Sequence, residues 1–348
     1  MSTYKVAVMT GEKKLEYREL PSQKPVGRQV LVKIDSCAIC TLEQRVYKGM
    51  MKYYPFAGGH EFAGIVTEIG EDVKNLKPGD LVSARLLTNC GTCHYCRSGH
   101  ENQCVISFQA SVHEGLNGPG GLAEYVLLDD TNLYKMAPDL DPAHAALTEP
   151  LACCVHSIEK GCIGFADDVV VMGAGIMGAF HIKLAKLRGA RVIACELDAD
   201  RLEIARQMGA DMLIDSGKIN AVDMVKQLTD GRGADVVFCT VASPLSAAEA
   251  VEMTGKLGRV VMYSSFHPKK PIELDVNKVH YSEMNITGSV NPRIRDFQVA
   301  SRLLSLKIID PSLLISKQVP FANLHDAFEH AIDPKSYRII VKMQQRIE

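Results

Sequence analysis

Several features that mark other classes of protein are missing from this sequence of 348 residues. Its formal net charge is only −2, which argues against a nucleic acid or an acidic membrane as the main partner. No basic segment followed by an apolar stretch opens the chain, so we expect no secretory signal. The densest apolar run, at residues 169–180, is too short and too rich in glycine to cross a bilayer. We therefore expect a cytoplasmic protein.

The length and the cysteine content indicate what kind of chain this is. A chain of this length, with 47% hydrophobic residues, is long enough for two domains that each have a core. Eleven cysteines in a chain without a secretory start indicate reduced thiols and metal ligands. Six of them have no metal-ligand spacing and are interpreted as small core residues: Cys37, Cys153, Cys154, Cys162, Cys195 and Cys239.

Four of the cysteines lie close together with the spacing C-x2-C-x2-C-x7-C. They are Cys90, Cys93, Cys96 and Cys104. Four thiolates on a short, turn-rich loop can surround Zn²⁺ at about 2.3 Å per bond, whereas a disulfide knot suits short secreted chains. Because four thiolates leave no position for a substrate, the spacing predicts a structural zinc site.

Strand-like segments dominate the chain up to about residue 150. Residues 30–35 and 61–70 are β-prone, and a Pro-Gly-Asp turn at residues 78–80 precedes another strand. This pattern favours an antiparallel barrel or sandwich that carries the four-cysteine segment as an insertion.

The pattern changes near residue 165, where β-prone runs begin to alternate with helical stretches. These runs span residues 168–172, 191–195, 211–214, 235–240 and 258–265. Strands that alternate with helices of about 10–15 residues form βαβ units and a parallel sheet. The predicted fold class is therefore α/β, with a β-rich domain preceding a doubly wound parallel sheet. After about residue 286 the alternation gives way to a helix and a terminal strand.

A glycine-rich turn opens the first helix of this second half. It reads Gly173, Ala174, Gly175, Ile176, Met177 and Gly178, which is a G-x-G-x-x-G between a strand and a helix. A dinucleotide-binding fold requires this context. The first glycine makes the tight turn, the second lets the backbone approach the pyrophosphate, and the third allows close helix packing. The helix N-terminus, including Ile176 and Met177, is expected to receive the pyrophosphate.

Glu196, at the end of the next strand, indicates which dinucleotide binds. Its carboxylate is expected to accept hydrogen bonds from the adenosine ribose and to repel a 2′-phosphate, which favours NAD over NADP. The alternative is a solvated loop acid. Arg201 is near enough either to complicate that preference or to contact the adenine. We also predict cofactor contacts at Ser264 and Ser289.

Potential metal ligands also lie outside the four-cysteine segment. They are Cys40 in CAICTLEQ, His60 and Glu61 in GGHEFAG, and Glu149 in TEPLA. Taken singly, each has an ordinary structural explanation: a core thiol, a satisfied histidine or an acid at a helix N-terminus. Together, one thiolate, one imidazole and one or two carboxylates would leave zinc an open position, as catalytic sites require.

The combined motifs resemble those of zinc-dependent medium-chain dehydrogenases, and most of all the polyol branch with sorbitol, threonine and sugar-alcohol-phosphate dehydrogenases. The resemblance covers essentially the whole chain. The matching motifs are C-x-I-C at 37–40, GHE at 59–61, the four-cysteine segment, GGLAEYV at 120–126, EPLA at 149–152 and the glycine turn at 173–178. It implies a GroES-like catalytic domain at 1–150 and 287–348, with the structural zinc segment at 90–104, and a Rossmann NAD-binding domain at 151–286.

The resemblance also implies the activity and its metal ligands. Cys40, His60 and Glu61 are expected to bind a catalytic zinc, and Glu149 to ligate the metal or its water. Zinc lowers the pKa of bound water from about 15.7 to about 7, and a bound alcohol is expected to respond similarly. The implied reaction passes hydride from this alkoxide to NAD. The alcohol is a secondary one in a polyol, a sugar alcohol or its phosphate, and each chain carries two zinc ions.

The segment after Cys40 departs from the family pattern of a small residue, then Ser or Thr, then Asp. It reads Thr-Leu-Glu, so Leu42 replaces the hydroxyl that passes the alcohol proton outward, and Arg45 stands where some relatives have a relay histidine. A positioned proton-transfer group contributes about 10²–10⁴-fold to the rate. We expect the proton to leave through water, assisted by Glu149 or a neighbouring substrate hydroxyl.

Three other functions compete with this interpretation. Glu196 disfavours an NADPH-dependent ketone reductase, while Leu42 and Arg45 disfavour a dehydrogenase of an amino alcohol such as threonine. A non-enzymatic, zinc-stabilised nucleotide-binding protein would lack the catalytic ligands and would hold one zinc ion per chain.

The sequence does not decide whether the substrate is phosphorylated. The candidate phosphate partners are Arg45, Lys48, Arg293 and Arg295, but solvated surface cations are common. The family commonly associates through Rossmann edge strands, which implies a homodimer or homotetramer formed here around residues 286–290.

Overall fold

A computed structural model describes residues 3–107, 112–113, 115–266 and 269–343 of the chain. The chain divides into two compact units. One comprises Met1–Ala152 and Arg293–Glu348, and the other comprises Cys153–Pro292. In the described residues, no helix is both long enough and apolar enough to cross a membrane.

The strands and helices are numbered in chain order. The strands are β1 (Thr3–Gly11), β2 (Lys14–Pro21), β3 (Gln29–Ala38), β4 (Glu61–Ile69), β5 (Leu81–Ala84), β6 (Val112–His113), β7 (Leu116–Asn117), β8 (Tyr125–Asp129), β9 (Leu133–Lys135), β10 (Asp168–Met172), β11 (Arg191–Glu196), β12 (Met212–Asp215), β13 (Ala234–Cys239), β14 (Thr254–Met262), β15 (Asn285–Gly288), β16 (Ile315–Pro320) and β17 (Arg338–Lys342). The helices are α1 (Thr41–Tyr47), α2 (His94–Arg97), α3 (Pro142–Ala145), α4 (Thr148–Gly161), α5 (Ile176–Leu187), α6 (Ala199–Met208), α7 (Ala221–Leu228), α8 (Pro244–Met253), α9 (Val276–Ser282), α10 (Ile294–Ser305) and α11 (Leu324–Ala331).

The first unit is built on a seven-stranded sheet with the order β16-β17-β3-β4-β5-β9, in which β8 also pairs with β3. Val30, Val32 and Ile34 of the long central strand β3 are fully buried and form part of the core. The pairs are antiparallel except for β16 and β17, which run parallel. Helix α11 lies between these two strands in the chain, as a parallel connection requires. The strands of this sheet that precede residue 150 pair only antiparallel, as predicted from the sequence, and the parallel pair lies in the C-terminal segment.

The second unit is a six-stranded parallel sheet with the order β12-β11-β10-β13-β14-β15. All five residues of β10 are buried, as expected for a central strand covered on both faces. The strand order reverses between β10 and β13, and ligands of doubly wound folds bind at such a reversal, beyond the carboxyl ends of the strands.

The boundary near residue 286 was predicted too early. Strand β15 pairs in parallel with β14, with Thr287 opposite Val261 and Gly288 opposite Met262. These hydrogen bonds keep residues 287 and 288 in the second unit, which extends to Pro292. The segment that returns to the first unit therefore begins at Arg293.

Candidate active site

Two neighbouring strands of the first unit bring the candidate metal ligands together. Cys40 follows β3 and is the N-cap residue of α1, while His60 immediately precedes β4. The two strands pair with Ala38 opposite Glu61, so their adjoining ends place both side chains in one region. One ligand atom from each of Cys40, Glu43 and His60 lies within 4.8 Å of the others.

Glu149 reaches the same region from the first turn of α4. Its ligand atom and those of His60 and Glu61 all lie within 4.8 Å of one another. The four predicted residues are therefore close together, and His60 is common to both groups.

The Glu61 carboxylate is held by Arg338 from β17. Arg338 donates from Nε to Oε2 at 2.9 Å and from Nη2 to Oε1 at 2.6 Å, and Nη2 also lies 3.6 Å from the sulfur of Cys40. The Glu61 side chain is fully buried and that of Arg338 is 5% exposed. Because both carboxylate oxygens face a guanidinium, a metal would compete with this ion pair for Glu61. The sequence interpretation named Glu61 as a ligand and did not include Arg338.

Glu43 is a second residue whose position was not assigned a role from the sequence. It is fully buried, and its Oε1 accepts a hydrogen bond from the backbone N–H of Gly59 at 2.9 Å and lies 2.9 Å from Nδ1 of His60. A carboxylate on one ring nitrogen orients the imidazole and leaves the other nitrogen for a metal. The signal was present in the sequence, since Glu43 occupies the position of the family's Asp.

The pKa values of these groups reflect burial and the neighbouring charges. Burial alone would lower the pKa of His60, but Glu43 and Cys40 raise it well above its usual value. Burial and Glu61 raise the pKa of the Cys40 thiol, although Arg338 and His60 oppose this rise. Burial would also raise the pKa of Glu43, yet His60 and the Gly59 N–H bring it below its usual value.

This donor set fits zinc. Zinc requires a thiolate and a neutral imidazole, and its charge would replace the protons that these groups otherwise hold. Cys40, His60 and Glu149 offer one thiolate, one imidazole and one carboxylate, a set that leaves a fourth position open.

The four-cysteine segment forms a separate cluster in the same unit. Ligand atoms of Cys90, Cys93, Cys96 and Cys104 all lie within 4.8 Å of one another. The backbone N–H of Cys93 donates to the sulfur of Cys90 at 3.3 Å, and that of Cys90 donates to the sulfur of Cys104 at 3.2 Å. Hydrogen bonds from Thr92 lower the pKa of Cys90 to about 6, which favours the thiolate that zinc requires.

In the second unit, the glycine turn lies between β10 and α5. Gly173 has a φ of +87°, which favours glycine, and a Cβ at Gly178 would lie 1.9 Å from the carbonyl oxygen of Gly173. Glu196 accepts hydrogen bonds from the backbone N–H groups of Ala174 at 2.7 Å and Leu197 at 2.6 Å. The Glu196 carboxylate therefore also holds the turn in shape.

The other predicted cofactor residues lie around this turn or at the same sheet edge. Nη1 of Arg201 lies 3.8 Å from the position that a Cβ of Gly175 would occupy. Ser264, shortly after β14, donates to the carbonyl of Thr240 at 2.7 Å. Ser289 directly follows β15, and its buried hydroxyl has no hydrogen-bond partner within the described residues.

Comparisons with known proteins agree with these two units. Residues 27–139 match the family "Alcohol dehydrogenase GroES-like domain", and residues 177–305 match the family "Zinc-binding dehydrogenase". A sorbitol dehydrogenase from Halalkalibacterium halodurans is 33% identical over 90% of this chain and 91% of its own. A D-arabitol-phosphate dehydrogenase from Enterococcus avium is 28% identical over 95% of each chain. An L-threonine 3-dehydrogenase from Bacillus subtilis is 32% identical over 89% of this chain and 90% of its own.

Solved structures show the same architecture. Galactitol-1-phosphate dehydrogenase from Escherichia coli matches with a TM-score of 0.85 and 26% identity, over 97% of this chain and 99% of its own. A protein from Sinorhizobium meliloti bound to NADP matches with a TM-score of 0.90 and 25% identity, over 98% of this chain and 100% of its own. The chain therefore belongs to the zinc-dependent medium-chain dehydrogenase family, in its polyol branch. It has the predicted GroES-like and Rossmann folds, and its reaction class is oxidoreduction of an alcohol.

Proposed function

We propose that this protein is an NAD-dependent zinc dehydrogenase that oxidises a secondary alcohol of a polyol, a sugar alcohol or its phosphate. The observation that carries the proposal is the position of His60, which has a ligand atom within 4.8 Å of Cys40 and within 4.8 Å of Glu149. These ligand types match a catalytic zinc site with an open position. The sorbitol and arabitol-phosphate dehydrogenases among the relatives support the substrate class.

In this proposal, Cys40, His60 and Glu149 would hold the catalytic zinc, and the four-cysteine cluster would hold a second, structural zinc. When bound, the catalytic zinc supplies a Lewis acid that stabilises negative charge on the substrate oxygen. Glu43 keeps the His60 ring oriented, and Arg338 balances the charge of Glu61. Leu42 offers no hydroxyl, so the proton leaves through water or the Glu149 carboxylate.

A substrate panel tests the reaction class. Polyols of four to six carbons, their terminal phosphates and L-threonine are each incubated with the purified protein and NAD⁺, and NADH absorbance is followed. We expect turnover with polyols or their phosphates. Turnover with L-threonine alone would instead support the amino-alcohol activity of the threonine dehydrogenase relatives.

The preference for NAD over NADP is proposed from Glu196. Its carboxylate lies at the glycine turn, where its charge would repel a 2′-phosphate. Glu196→Gln removes the charge but keeps an oxygen for the Ala174 N–H. We expect the ratio of kcat/KM for NADP⁺ over NAD⁺ to rise about tenfold, equivalent to roughly 1.4 kcal/mol. Asp200→Asn, an exposed acid of α6, is the matched control, and an unchanged ratio in Glu196→Gln would contradict the assignment.

We also propose that the protein is a homodimer or homotetramer that associates through β15. Within the described residues this strand pairs only with β14, and its outer edge lies near exposed apolar side chains such as Ile286 and Val290. An unprotected edge of this kind favours pairing with another chain. Ile286→Lys is expected to lower the mass measured by light scattering, whereas Leu213→Lys on the opposite edge strand β12 is not.

The proposed location is the cytoplasm. All eleven cysteines are free thiols in the structure, and thiols of this kind persist in a reducing compartment. Fractionation of the native host, with the protein detected by antibody, tests this location.

A further inference from the structure

Arg45 differs from the other cations considered as phosphate partners. Its side chain is partly buried, and no hydrogen bond or ion pair to its guanidinium occurs in the part of the chain that the structure describes. Arg293, in contrast, is held by Asp296, with bonds of 2.9 and 2.8 Å to the two carboxylate oxygens. Arg295 is exposed at the start of α10. Arg45 is therefore a partly buried cation whose guanidinium donates no hydrogen bond to the described residues.

The position of Arg45 places it near the candidate catalytic metal. Helix α1 begins after its N-cap residue Cys40, and Arg45 is five residues further on, about 7.5 Å along the helix axis. It lies three residues after Leu42, so the two share a helix face. Leu42 packs against the core of the first unit. The backbone of Arg45 is therefore about one and a half helical turns from Cys40.

Neighbouring acids do not neutralise Arg45. Glu43 lies two residues away, where helix geometry turns it to another face, and its carboxylate is already bound to His60. Residues 44–60 contain the cations Arg45, Lys48 and Lys52 but no acid. Glu12 packs against Gly49 but forms no ion pair with Arg45. The segment between Cys40 and His60 thus presents an excess of positive charge.

We propose that Arg45 binds the phosphate group of the substrate, and that the substrate is a phosphate ester of a polyol rather than a free polyol. This inference rests on the proposed dehydrogenase function. A guanidinium stays protonated at any physiological pH and therefore replaces a proton relay with a fixed charge. Its planar fork of donors matches the oxygens of a phosphate, and such charge-assisted bonds are among the stronger ones in proteins.

The test compares matched pairs of substrates. Polyols of four to six carbons and their terminal phosphate esters are assayed with wild type, Arg45→Gln, Arg45→Lys and the control Arg295→Gln. For wild type we expect kcat/KM to favour the phosphate ester. In Arg45→Gln this preference should fall about 10- to 100-fold, mainly through a higher KM, as expected for a hydrogen bond to a charged group. Arg45→Lys should retain part of the preference, and Arg295→Gln all of it.

Inhibition by inorganic phosphate gives a second measurement on the unaltered protein. At constant ionic strength, phosphate should compete with the substrate in wild type, which tests the site even if a variant fails to fold. If wild type oxidises free polyols as well as their phosphates, and Arg45→Gln leaves the ratio unchanged, the inference is wrong but the dehydrogenase function stands. If wild type oxidises neither, the proposed function fails and this inference fails with it.

Discussion

Arg338 and Glu61 are the residues of the candidate site with the largest expected effect on stability. Both side chains are buried and joined by two hydrogen bonds. Removing one partner leaves the other charge buried without compensation, which typically costs about 3–5 kcal/mol. We therefore expect Arg338→Met to lower the free energy of unfolding by about that amount, measured by urea denaturation of metal-free protein.

Two comparisons make this prediction specific. Adding Glu61→Gln to Arg338→Met removes the unpaired charge and should recover most of the loss. Arg18→Met breaks the exposed ion pair with Glu16 and should change stability by less than about 1 kcal/mol. A loss in Arg338→Met as small as that in Arg18→Met would show that the buried pair does not stabilise the fold.

At the residue scale, candidate ligands in short motifs could be predicted from the sequence, whereas contacts between residues far apart in the chain could not. Cys40, His60 and Glu149 each lie in a compact motif, and the structure places a ligand atom of His60 within 4.8 Å of Cys40 and within 4.8 Å of Glu149. Arg338 and Glu61 are 277 positions apart in the chain, and no short sequence motif predicts a contact over that separation. The ion pair of Glu61 therefore could not be predicted from the sequence, because it depends on the pairing of β17 with β3.

At the scale of single elements, helix α5 carries a buried histidine that predicts a pH dependence. Nδ1 of His181 lies 2.7 Å from the carbonyl oxygen of Met177, and Nε2 lies 2.8 Å from the hydroxyl of Ser157. Burial lowers the pKa of His181 to about 4, against about 6.5 in an unfolded chain. The unfolded state thus binds the proton more tightly.

The sign of the effect follows from linkage. The stability from neutral His181 is fully present above a pH of about 6.5 and is lost progressively as the pH falls towards about 4. Between about pH 7.5 and about pH 5, wild type should lose roughly 2 kcal/mol from this group. In His181→Gln, the free energy of unfolding should fall by roughly 2 kcal/mol less between these two pH values than in wild type, as measured by urea denaturation. Equal losses in both proteins would rule out His181 as the titrating group.

Elements with a strong burial pattern were easier to predict than those without. Strand β10 is buried at all five positions and reads as an apolar run, whereas β15 has four residues without a buried position. Its place in the sheet is set by pairing with β14, which sequence periodicity does not report. For this reason the domain boundary predicted at residue 286 fell inside a strand.

At the scale of the whole molecule, the fold class was readable because it depends on many segments at once. Alternating strands and helices after residue 165 indicated a parallel sheet, and the structure shows six parallel strands in a doubly wound order. The parallel pair β16–β17 was missed because β16 has a single buried residue. The position of β16 is set by its pairing with β17, which follows it in the chain after helix α11. The hydrophobic pattern of β16 does not predict this pairing.

The two clusters of metal ligands predict two zinc ions per chain with different effects. Purified wild type should contain about two zinc ions by elemental analysis, and Cys40→Ala or Cys93→Ser should each contain about one. Zinc that binds only the folded state stabilises it in proportion to the logarithm of its concentration over its dissociation constant. The four-cysteine site offers no open position for substrate, so its metal contributes to stability alone.

The two variants should therefore separate stability from catalysis. Cys93→Ser is expected to lower the thermal unfolding midpoint clearly, because a metal bound by four ligands of one segment, residues 90–104, adds its binding free energy to the folded state. Cys40→Ala should abolish alcohol oxidation while a zinc ion remains at the four-cysteine site. A wild type with one zinc ion, unaffected by Cys40→Ala, would contradict the catalytic site and favour a zinc-stabilised nucleotide-binding protein.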